Sequence, residues 1–311
     1  MQHSGFFLVD KPKGFTSNRV LQDIRKSLSV QSSAYPQKYG HAGTLDSFAS
    51  GLLIILTGKI TRLSRWFMHQ NKEYEAVFRF GEETDTLDPQ GKIMAIGELP
   101  ARETLERIIP SFCGNIEQIP PSYSAVHVGG ERSYKIARAG NKPEISPRSI
   151  IIHDIELESF QEKEATLRIR CSSGTYIRSL ARDIGHACGS CATVISLRRT
   201  VIGPFSISEA HSPQECNEKS IRVFSPDIAQ SLGLATAVIK LDFVEHFIHG
   251  GTLPAKAVTL DCDQMTLFRN PDFSFESKPV ALFSENGELL GIAEQKDKEY
   301  APRVVMAEEP R

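Results

Sequence analysis

Alternation of apolar and polar residues in two separate stretches constrains the fold of this chain most. From Tyr74 to Phe80 every second residue is apolar, and the same pattern runs from Ala165 to Cys171. Period-two alternation buries one face of a strand and leaves the other polar, which is typical of antiparallel sheets. Helical patterns lie between such strands, for example over residues 20–28, without a regular strand–helix–strand repeat. The sequence therefore predicts an α+β fold, with a mostly antiparallel mixed sheet and flanking helices.

The domain boundary is predicted from a polar segment. Residues 206–230 contain two prolines and no sustained hydrophobic period, which indicates a linker. Beyond it, Val280–Phe283 and Leu289–Ile292 flank an Asn-Gly turn, which is a strong hairpin signal. We therefore expect a large domain of residues 1–230 and a small β-rich domain of residues 231–311.

Length and composition exclude several classes of protein. The chain has 311 residues, of which 40% are hydrophobic and 24% charged, as in ordinary globular proteins. No apolar run approaches the roughly 20 residues that span a bilayer, and the longest, Leu52–Leu56, predicts a buried strand. The first residues lack the basic start and apolar stretch of a signal peptide. Six irregularly spaced cysteines do not make a disulfide framework. We expect a cytoplasmic protein with no membrane partner.

The charge distribution is uneven although the formal net charge is only −2. Residues 1–72 carry ten Lys or Arg against three Asp, and residues 165–200 carry six Arg against one Asp. The segments 73–164 and 201–311 each carry ten basic and 17 acidic residues. Two basic blocks in an otherwise acidic chain suit a concave surface that binds phosphates. Uneven charge is common, so this pattern favours a nucleic-acid partner only weakly.

The segment Gly40–Asp46, with the sequence GHAGTLD, is the most informative motif. Its two glycines permit a tight loop just before a buried strand. Such a loop can hold the Asp46 carboxylate at a cleft where the backbone approaches a ligand. A surface turn with a solvated aspartate and a hydrogen-bonded His41 satisfies the same spacing and is the commoner outcome. The residues alone leave both interpretations open.

Arg178 and Tyr74 stand out for their positions. Arg178 falls in the first turn of a helix that follows Ser173-Gly174, where the helix dipole prefers carboxylates to cations. If its side chain is buried it needs a partner, and a bidentate carboxylate is the natural one. Otherwise it is an exposed arginine near a loop. Tyr74 begins an alternating strand, which makes it either a core aromatic or an aromatic at the rim of a site.

Three other segments carry weaker signals. Thr84–Asp88 lacks the further acidic positions and the closing glutamate of a calcium loop, so no metal is expected there. The single pair of Cys188 and Cys191 has neither the second pair that zinc requires nor a thioredoxin-like setting. Residues 121–148 hold five basic side chains interleaved with two tyrosines. That composition fits a flap that contacts RNA and equally an ordinary solvated helix and loop.

Taken together, the motifs resemble those of the TruB-type tRNA pseudouridine synthases. The resemblance spans residues 5–205 and rests, in order, on Val9–Ser17, Gly40–Asp46, Lys72–Tyr74, Gly81, Thr84–Asp88, Pro121–Ala125, Ser173–Arg178 and Leu197–Arg199. It implies the pseudouridine-synthase fold for the large domain and a PUA-like RNA-binding domain for residues 231–311. It also implies the activity, which is conversion of uridine 55 in the T loop of tRNA to pseudouridine.

The resemblance implies roles for individual residues as well. Asp46 matches the catalytic aspartate, Arg178 its ion-pair partner, and Tyr74 the tyrosine that stacks on the target base. The other residues expected to bind the RNA substrate or to line its pocket are His41, Lys11, Tyr176, Leu197, Arg62 and Asp88. Ser47 stands where the family usually has proline, and Ile60-Thr61-Arg62 replaces the usual Ala-Thr-Lys. Neither change removes a catalytic group.

The chemistry agrees with these roles. Isomerising uridine breaks the N-glycosidic bond, turns the base and joins its carbon to the ribose, so no cofactor or metal is required. One ionised carboxylate can act as nucleophile or base, and an adjacent arginine keeps it ionised. Stacking on an aromatic side chain contributes about 1–3 kcal/mol toward turning a base out of its stack. We expect a monomer that acts on tRNA without a guide RNA. The alternatives are a non-catalytic tRNA-binding or tRNA-folding protein on the same fold, and a guide-RNA-dependent relative.

Overall fold

The computed structural model of the chain describes residues 4–31, 38–260 and 278–306. Its α-helices are α1 (Ser17–Gln31), α2 (Ser64–Met68), α3 (Arg102–Ile108), α4 (Ser133–Arg138), α5 (Ile177–Ala187), α6 (Pro226–Ser231) and α7 (Leu241–Ile248). Short 3-10 helices occupy Gly58–Leu63, Ile109–Phe112, Ile207–Glu209, Glu218–Ser220 and Ala255–Ala257. Within the described ranges no helix is long and apolar enough to cross a bilayer.

Strands make up most of the remaining regular structure. Up to residue 206 they are β1 (Gly5–Lys11), β2 (Tyr39–His41), β3 (Ser50–Thr57), β4 (Lys72–Phe80), β5 (Glu82–Thr84), β6 (Ile93–Ile96), β7 (Gly114–Gln118), β8 (His127–Val128), β9 (Glu131–Arg132), β10 (Arg148–Gln161), β11 (Glu164–Cys171), β12 (Ala192–Ile202) and β13 (Phe205–Ser206). After residue 206 the strands are β14 (Ala235–Ile239), β15 (Leu253–Pro254), β16 (Val258–Leu260), β17 (Lys278–Phe283), β18 (Leu289–Lys296) and β19 (Glu299–Val305).

The larger sheet has the strand order β1-β3-β12-β4-β11-β10-β7, with β2 beside β3 and β13 beside β12. Neighbours run antiparallel except β3 and β12, which pair in parallel at Ser50 and Gly51. The strands predicted from the alternating and apolar stretches lie within β4, β11 and β3. The predicted mostly antiparallel mixed sheet with flanking helices is therefore confirmed.

The packing of β3 explains its uninterrupted apolar sequence. Leu52, Ile54 and Leu56 pack into one core, whereas Leu53 and Ile55 pack on the opposite face with residues of α1. A strand covered on both faces has no position for a polar side chain, so the period-two pattern disappears. β4 and β11 keep the pattern because only one of their faces packs into a core, which they share with α5.

The predicted linker at residues 206–230 requires a correction, because the structure holds this segment against the first sheet. His211 N–H donates to the Leu8 carbonyl, and Phe6 and Arg222 exchange two backbone hydrogen bonds. These are isolated bridges rather than a strand, so they leave no hydrophobic period in the sequence. The segment is part of the body that carries β1.

The second sheet confirms the β-rich character expected near the C-terminus. Its strand order is β15-β19-β18-β17-β14-β16, and β17 and β18 form the predicted hairpin. Phe283, Leu289 and Ile292 of this sheet share an apolar core with Phe6 and Leu8 of β1. The two sheets are thus joined by apolar packing.

One glycine sets the distance between the parallel strands β3 and β12. Gly51 has a φ of 107°, and a Cβ at this position would lie 2.3 Å from the Arg199 carbonyl oxygen and 2.6 Å from the Arg199 nitrogen. Only a residue without a side chain permits both this φ and this approach. The contact fixes the backbone of Arg199, a residue that lines the site described below.

We expect Gly51→Ala to lower the free energy of unfolding by about 3 kcal/mol or more. The positive φ alone costs about 1–3 kcal/mol, and the clash with the Arg199 backbone adds to it. Gly140→Ala is the matched control, because Gly140 also has a positive φ, 83°, but has open space around it. Urea denaturation of both variants gives the measurement. Equal losses in the two variants would show that the approach of β12 to β3 does not depend on Gly51.

Candidate active site

The segment between β2 and β3 carries Asp46 and is fixed by hydrogen bonds from outside it. The buried Ser17 hydroxyl donates to the Leu45 carbonyl at 3.0 Å and accepts from the Leu45 N–H at 2.9 Å. On the other side, Gly14 N–H donates to the Ser47 carbonyl at 2.7 Å. The backbone is therefore held on both sides of the carboxylate, although Ser47 lacks the ring of a proline.

Arg178, in the first turn of α5, makes four hydrogen bonds from the Nη atoms of its guanidinium and an ion-pair contact from Nε. Nε lies 2.9 Å from Asp46 Oδ2, and Nη2 donates to Asp46 Oδ1 at 3.2 Å. Nη2 also donates to the Tyr123 carbonyl at 3.0 Å, while Nη1 donates to the Thr86 carbonyl at 2.9 Å and to Asp88 Oδ2 at 3.3 Å. The Arg178 side chain is 5% exposed and that of Asp46 is 39% exposed. The bidentate pair is present, and its carboxylate is the partner that a ligand can reach.

Asp88 supports Arg178 from within the protein. Its Oδ1 accepts hydrogen bonds from the Thr86 hydroxyl at 2.7 Å and from the Gln90 N–H at 3.0 Å, which leaves Oδ2 for Arg178. The Thr84 hydroxyl binds the Asp88 carbonyl at 2.9 Å. Asp88 is buried and these contacts are internal, so in this structure it positions Arg178, and its expected RNA contact stays a prediction.

Gln118, the last residue of β7, supports the start of α5. Its amide accepts from the Tyr176 N–H at 2.8 Å and donates to the Tyr176 carbonyl at 3.2 Å. Tyr176 is the N-cap of α5, and its own side chain makes no capping hydrogen bond. Gln118 is almost fully buried. A side chain from a distant strand therefore fixes the turn that presents both Tyr176 and Arg178.

A cavity of 290 Å³ opens beside the ion pair. Tyr74 of β4, Tyr176 and Leu197 of β12 line it together with Asp46 and Arg178. The sequence-predicted catalytic residues and two of the predicted pocket residues are thus brought to one place. The aromatic and aliphatic walls suit a planar ring, and the carboxylate supplies a reactive group at its edge.

The environment of Asp46 makes its carboxylate more basic than that of a free aspartate. Burial raises the pKa of Asp46 above 3.8; Arg178 and Lys11 act to lower it, and the charge of Asp88 raises it further. Arg178 therefore acts in the expected direction, favouring the ionised carboxylate, while burial has the larger effect on the pKa.

Three residues expected to contact RNA stand outside the lining of this cavity. Lys11 lies at the end of β1 and donates to the Phe15 carbonyl at 2.6 Å. His41 is half-buried on β2, where burial lowers its pKa. Arg62 donates to the Val305 carbonyl of β19 at 2.6 Å. Their RNA contacts stay predictions.

Arg199 and Lys72 also line the cavity, and sequence reasoning did not single them out. Arg199 is buried, donating from Nε to the Leu52 carbonyl at 2.8 Å and from Nη2 to the Gly43 carbonyl at 3.1 Å. Burial raises the pKa of Tyr74, and the charge of Arg199 opposes this rise. The position of Arg199 in the motif Leu197–Arg199 was the signal available in the sequence.

The segment of residues 121–148 borders a second, larger space. A groove of about 1010 Å³ separates part of this segment from the loop Thr84–Asp88. The segment contains β8, β9 and α4, and the Tyr123 carbonyl ties its start to Arg178. Its contact with RNA also stays a prediction.

Comparison with known proteins identifies the family. The model of the TruB family pseudouridylate synthase N-terminal domain matches residues 29–177, and that of the tRNA pseudouridylate synthase B C-terminal domain matches residues 178–223. The tRNA pseudouridine synthase B of Pseudomonas fluorescens is 36% identical over 318 residues, which cover 98% of this chain and 96% of that one. The chain belongs to the TruB family of pseudouridylate synthases. As a member of the TruB family it is an enzyme that forms pseudouridine in tRNA.

Further comparisons agree with this assignment. The tRNA pseudouridine synthase B of Borreliella burgdorferi is 42% identical over 221 residues, which cover 70% of this chain and 76% of that one. A chain in the crystal structure of a Cbf5-Nop10-Gar1 complex has a TM-score of 0.69 at 25% identity and covers 96% of this chain and 83% of its own. A chain of an H/ACA RNP bound to a substrate RNA has the same TM-score at 22% identity, with 98% and 85% covered. The fold of TruB-type enzymes therefore extends over both sheets.

We expect Gln118→Ala to lower the free energy of unfolding by about 1–3 kcal/mol, because the Tyr176 N–H loses its partner and the Tyr176 carbonyl keeps only the Leu180 N–H. The rate of pseudouridine formation in tRNA should fall as well, since Arg178 lies two residues further along. Gln161→Ala, at an exposed position of β10, is the matched control. Thermal unfolding and single-turnover rates give the two readouts. A Gln118→Ala enzyme that is as stable and as active as the Gln161→Ala enzyme would show that α5 needs no support from β7.

Proposed function

We propose that this TruB-family enzyme converts uridine 55 in the T loop of tRNA to pseudouridine, with Asp46 as the acting carboxylate. The observation that carries the proposal is the Asp46–Arg178 pair, in which a buried guanidinium contacts both oxygens of a carboxylate that is open to a cavity of 290 Å³. The family's tRNA substrate supplies the RNA, and the cavity supplies a place for one base turned out of it.

The residues around the cavity have different roles in this reaction. Tyr74 offers an aromatic face for the uracil ring, and Leu197 and Tyr176 offer further contact area. Asp46 acts as nucleophile or base on the uridine, and its raised pKa makes it a better base than a free carboxylate. Arg178 keeps the carboxylate in one orientation through the reaction. The isomerisation moves a bond within one nucleotide, so the reaction consumes no cofactor.

The exposed basic side chains of residues 1–72 and 165–200 would bind the phosphates of the T stem and loop. We further propose that residues 231–311, which include the strands of the second sheet, form the PUA-like RNA-binding domain, and that the enzyme acts as a monomer without a guide RNA. The solved structures of similar fold are parts of RNP assemblies, which makes this last point a necessary part of the test.

The experiment is pseudouridine mapping in a T-stem-loop transcript after incubation with the purified protein and nothing else. We expect product at uridine 55 with the wild type, and loss of product with tRNA binding retained for Asp46→Asn, which keeps the shape of the side chain. Binding without product from the wild type would favour a non-catalytic tRNA-binding protein. Product only after a guide RNA or partner protein is added would favour a guide-dependent enzyme.

The pH dependence of the rate gives a second prediction. Asp46 acts in its ionised form, so activity is present above its pKa and is lost as the pH falls through that raised value. Because the charge of Asp88 raises the pKa of Asp46, Asp88→Asn should move the acid limb of the single-turnover profile to lower pH. Asp85→Asn, which changes a carboxylate bonded to the Lys92 N–H, is the control. An acid limb that moves to higher pH or stays in place would contradict the assignment of this limb to Asp46.

A further inference from the structure

Two buried cations line the cavity without a carboxylate partner. Lys72 donates its hydrogen bonds to the carbonyls of Met68 and Gln70, and Arg199 donates to those of Leu52 and Gly43. Within the described residues neither side chain forms an ion pair with a carboxylate. The carboxylate at the cavity, Asp46, already has both oxygens on Arg178. The cavity therefore holds more positive charge than the protein neutralises.

Such an arrangement is costly. Buried charges in proteins are normally paired, because carbonyl dipoles replace only part of the lost hydration. The cost is visible at Lys72, whose pKa is lowered to about 7 by burial and, next in size, by the charge of Arg199. Buried cations that lack a carboxylate partner at the wall of a reactive cavity indicate a function, in which the substrate would supply the negative charge.

The position of the two cations selects which anion this is. Lys72 and Tyr74 are two residues apart on the same face of β4, and Arg199 lies opposite Tyr74 in the register of β12 and β4. Lys72 and Arg199 thus lie beside Tyr74, whose ring is proposed to stack on uracil. They would therefore face the base rather than the phosphates of the backbone.

The reaction places negative charge on that base by either route open to Asp46. If Asp46 attacks C6 of the ring, the displaced electron pair moves onto O4. If the N1–C1′ bond breaks first, its electron pair stays on N1 and is shared with O2, while Asp46 either bonds to C1′ or takes the proton from C2′. In the first route the N1–C1′ bond then breaks, C5 bonds to C1′ and the Asp46 oxygen leaves C6. In the second route C5 bonds to C1′ as Asp46 leaves C1′ or returns its proton to C2′. In both routes C5 finally gives up its proton and N1 takes one up. Until the C5–C1′ bond forms, the uracil ring carries negative charge.

We propose that Lys72 and Arg199 stabilise the negative charge that develops on the uracil ring during the isomerisation, as donors placed in advance where charge appears. This inference rests on the proposed function of the Asp46 site. Removal of one such donor typically lowers a rate by about 100-fold or more. It should leave binding of the RNA unchanged, since the ground-state uracil ring is neutral.

The test measures RNA affinity and single-turnover cleavage of the N1–C1′ bond separately, for the T-stem-loop RNA with uridine or 5-fluorouridine at the target position. Fluorine withdraws electrons and stabilises the ring anion by itself. The reaction of 5-fluorouridine halts before a C5 proton can leave, so loss of the N-linked nucleoside in a digest is the readout. The variants are Lys72→Gln, which keeps a donor for the carbonyls, Lys72→Arg and Arg199→Lys, which keep the charge, and Lys219→Gln as an exposed control.

We expect Lys72→Gln to lose about 100-fold in rate on the uridine RNA and clearly less on the 5-fluorouridine RNA, with an unchanged Kd. Lys72→Arg and Arg199→Lys should keep more of the rate than Lys72→Gln, and Lys219→Gln should keep all of it. A weaker Kd with an unchanged rate would overturn the proposal in favour of a phosphate contact. Equal losses on both RNAs would overturn it in favour of a purely structural role. If Lys72→Gln does not fold, Arg199→Lys and Lys72→Arg still report whether the rate depends on the position of the charge. Equal losses in rate of these two variants on the uridine and 5-fluorouridine RNAs would then overturn the proposal.

These outcomes are distinct from failure of the proposed function. If the wild type forms no pseudouridine at the target uridine, the function assigned to the Asp46 site fails. If the wild type does so and Lys72→Gln loses the same factor in rate on both RNAs, the inference about the two cations fails alone.

Discussion

The rest of the site depends on the contacts that the Arg178 guanidinium makes. Its nitrogen atoms contact a carboxylate from the loop after β2, a carboxylate and a carbonyl from the loop after β5, and a carbonyl at the start of the 121–148 segment. These parts of the chain are far apart in sequence and meet at one side chain. A planar donor with fixed directions imposes a single geometry on all of them, which an ammonium group would not do. The orientation of Asp46 is thus decided by the fold as a whole.

The sheet brings these partners together through a small number of close contacts. Gly51 permits β12 to run beside β3, which places Arg199 under the loop that carries Asp46. Gln118, at the end of β7, hydrogen-bonds the backbone of Tyr176 at the start of α5, two residues before Arg178. The site is therefore built from secondary-structure ends held by buried polar side chains. The rigidity of the site depends on each of these buried groups having its hydrogen-bond partner.

The sequence predicted those features in which a local pattern has one physical cause. The alternation in β4 and β11 marks strands with one buried face, and the position of Arg178 in a first helical turn marked a side chain that needed a carboxylate. Other features have no local pattern. The 206–230 segment pairs with β1 through isolated bridges, and Gln118 acts on a residue 58 positions away. The internal role of Asp88 and the burial of Lys72 arise from packing between distant segments, and a single sequence carries no trace of either.

The central claim is that the ionised Asp46 carboxylate, held by Arg178, performs the isomerisation. The most direct measurement is a carbon-13 NMR titration of the Asp46 carboxyl in the wild-type enzyme, set beside the single-turnover rate of pseudouridine formation over the same pH range. The account predicts that Asp46 titrates above its ordinary value and that the rate falls at the same pH as the carboxylate is protonated. A rate that persists undiminished at pH values where Asp46 is already protonated would contradict it.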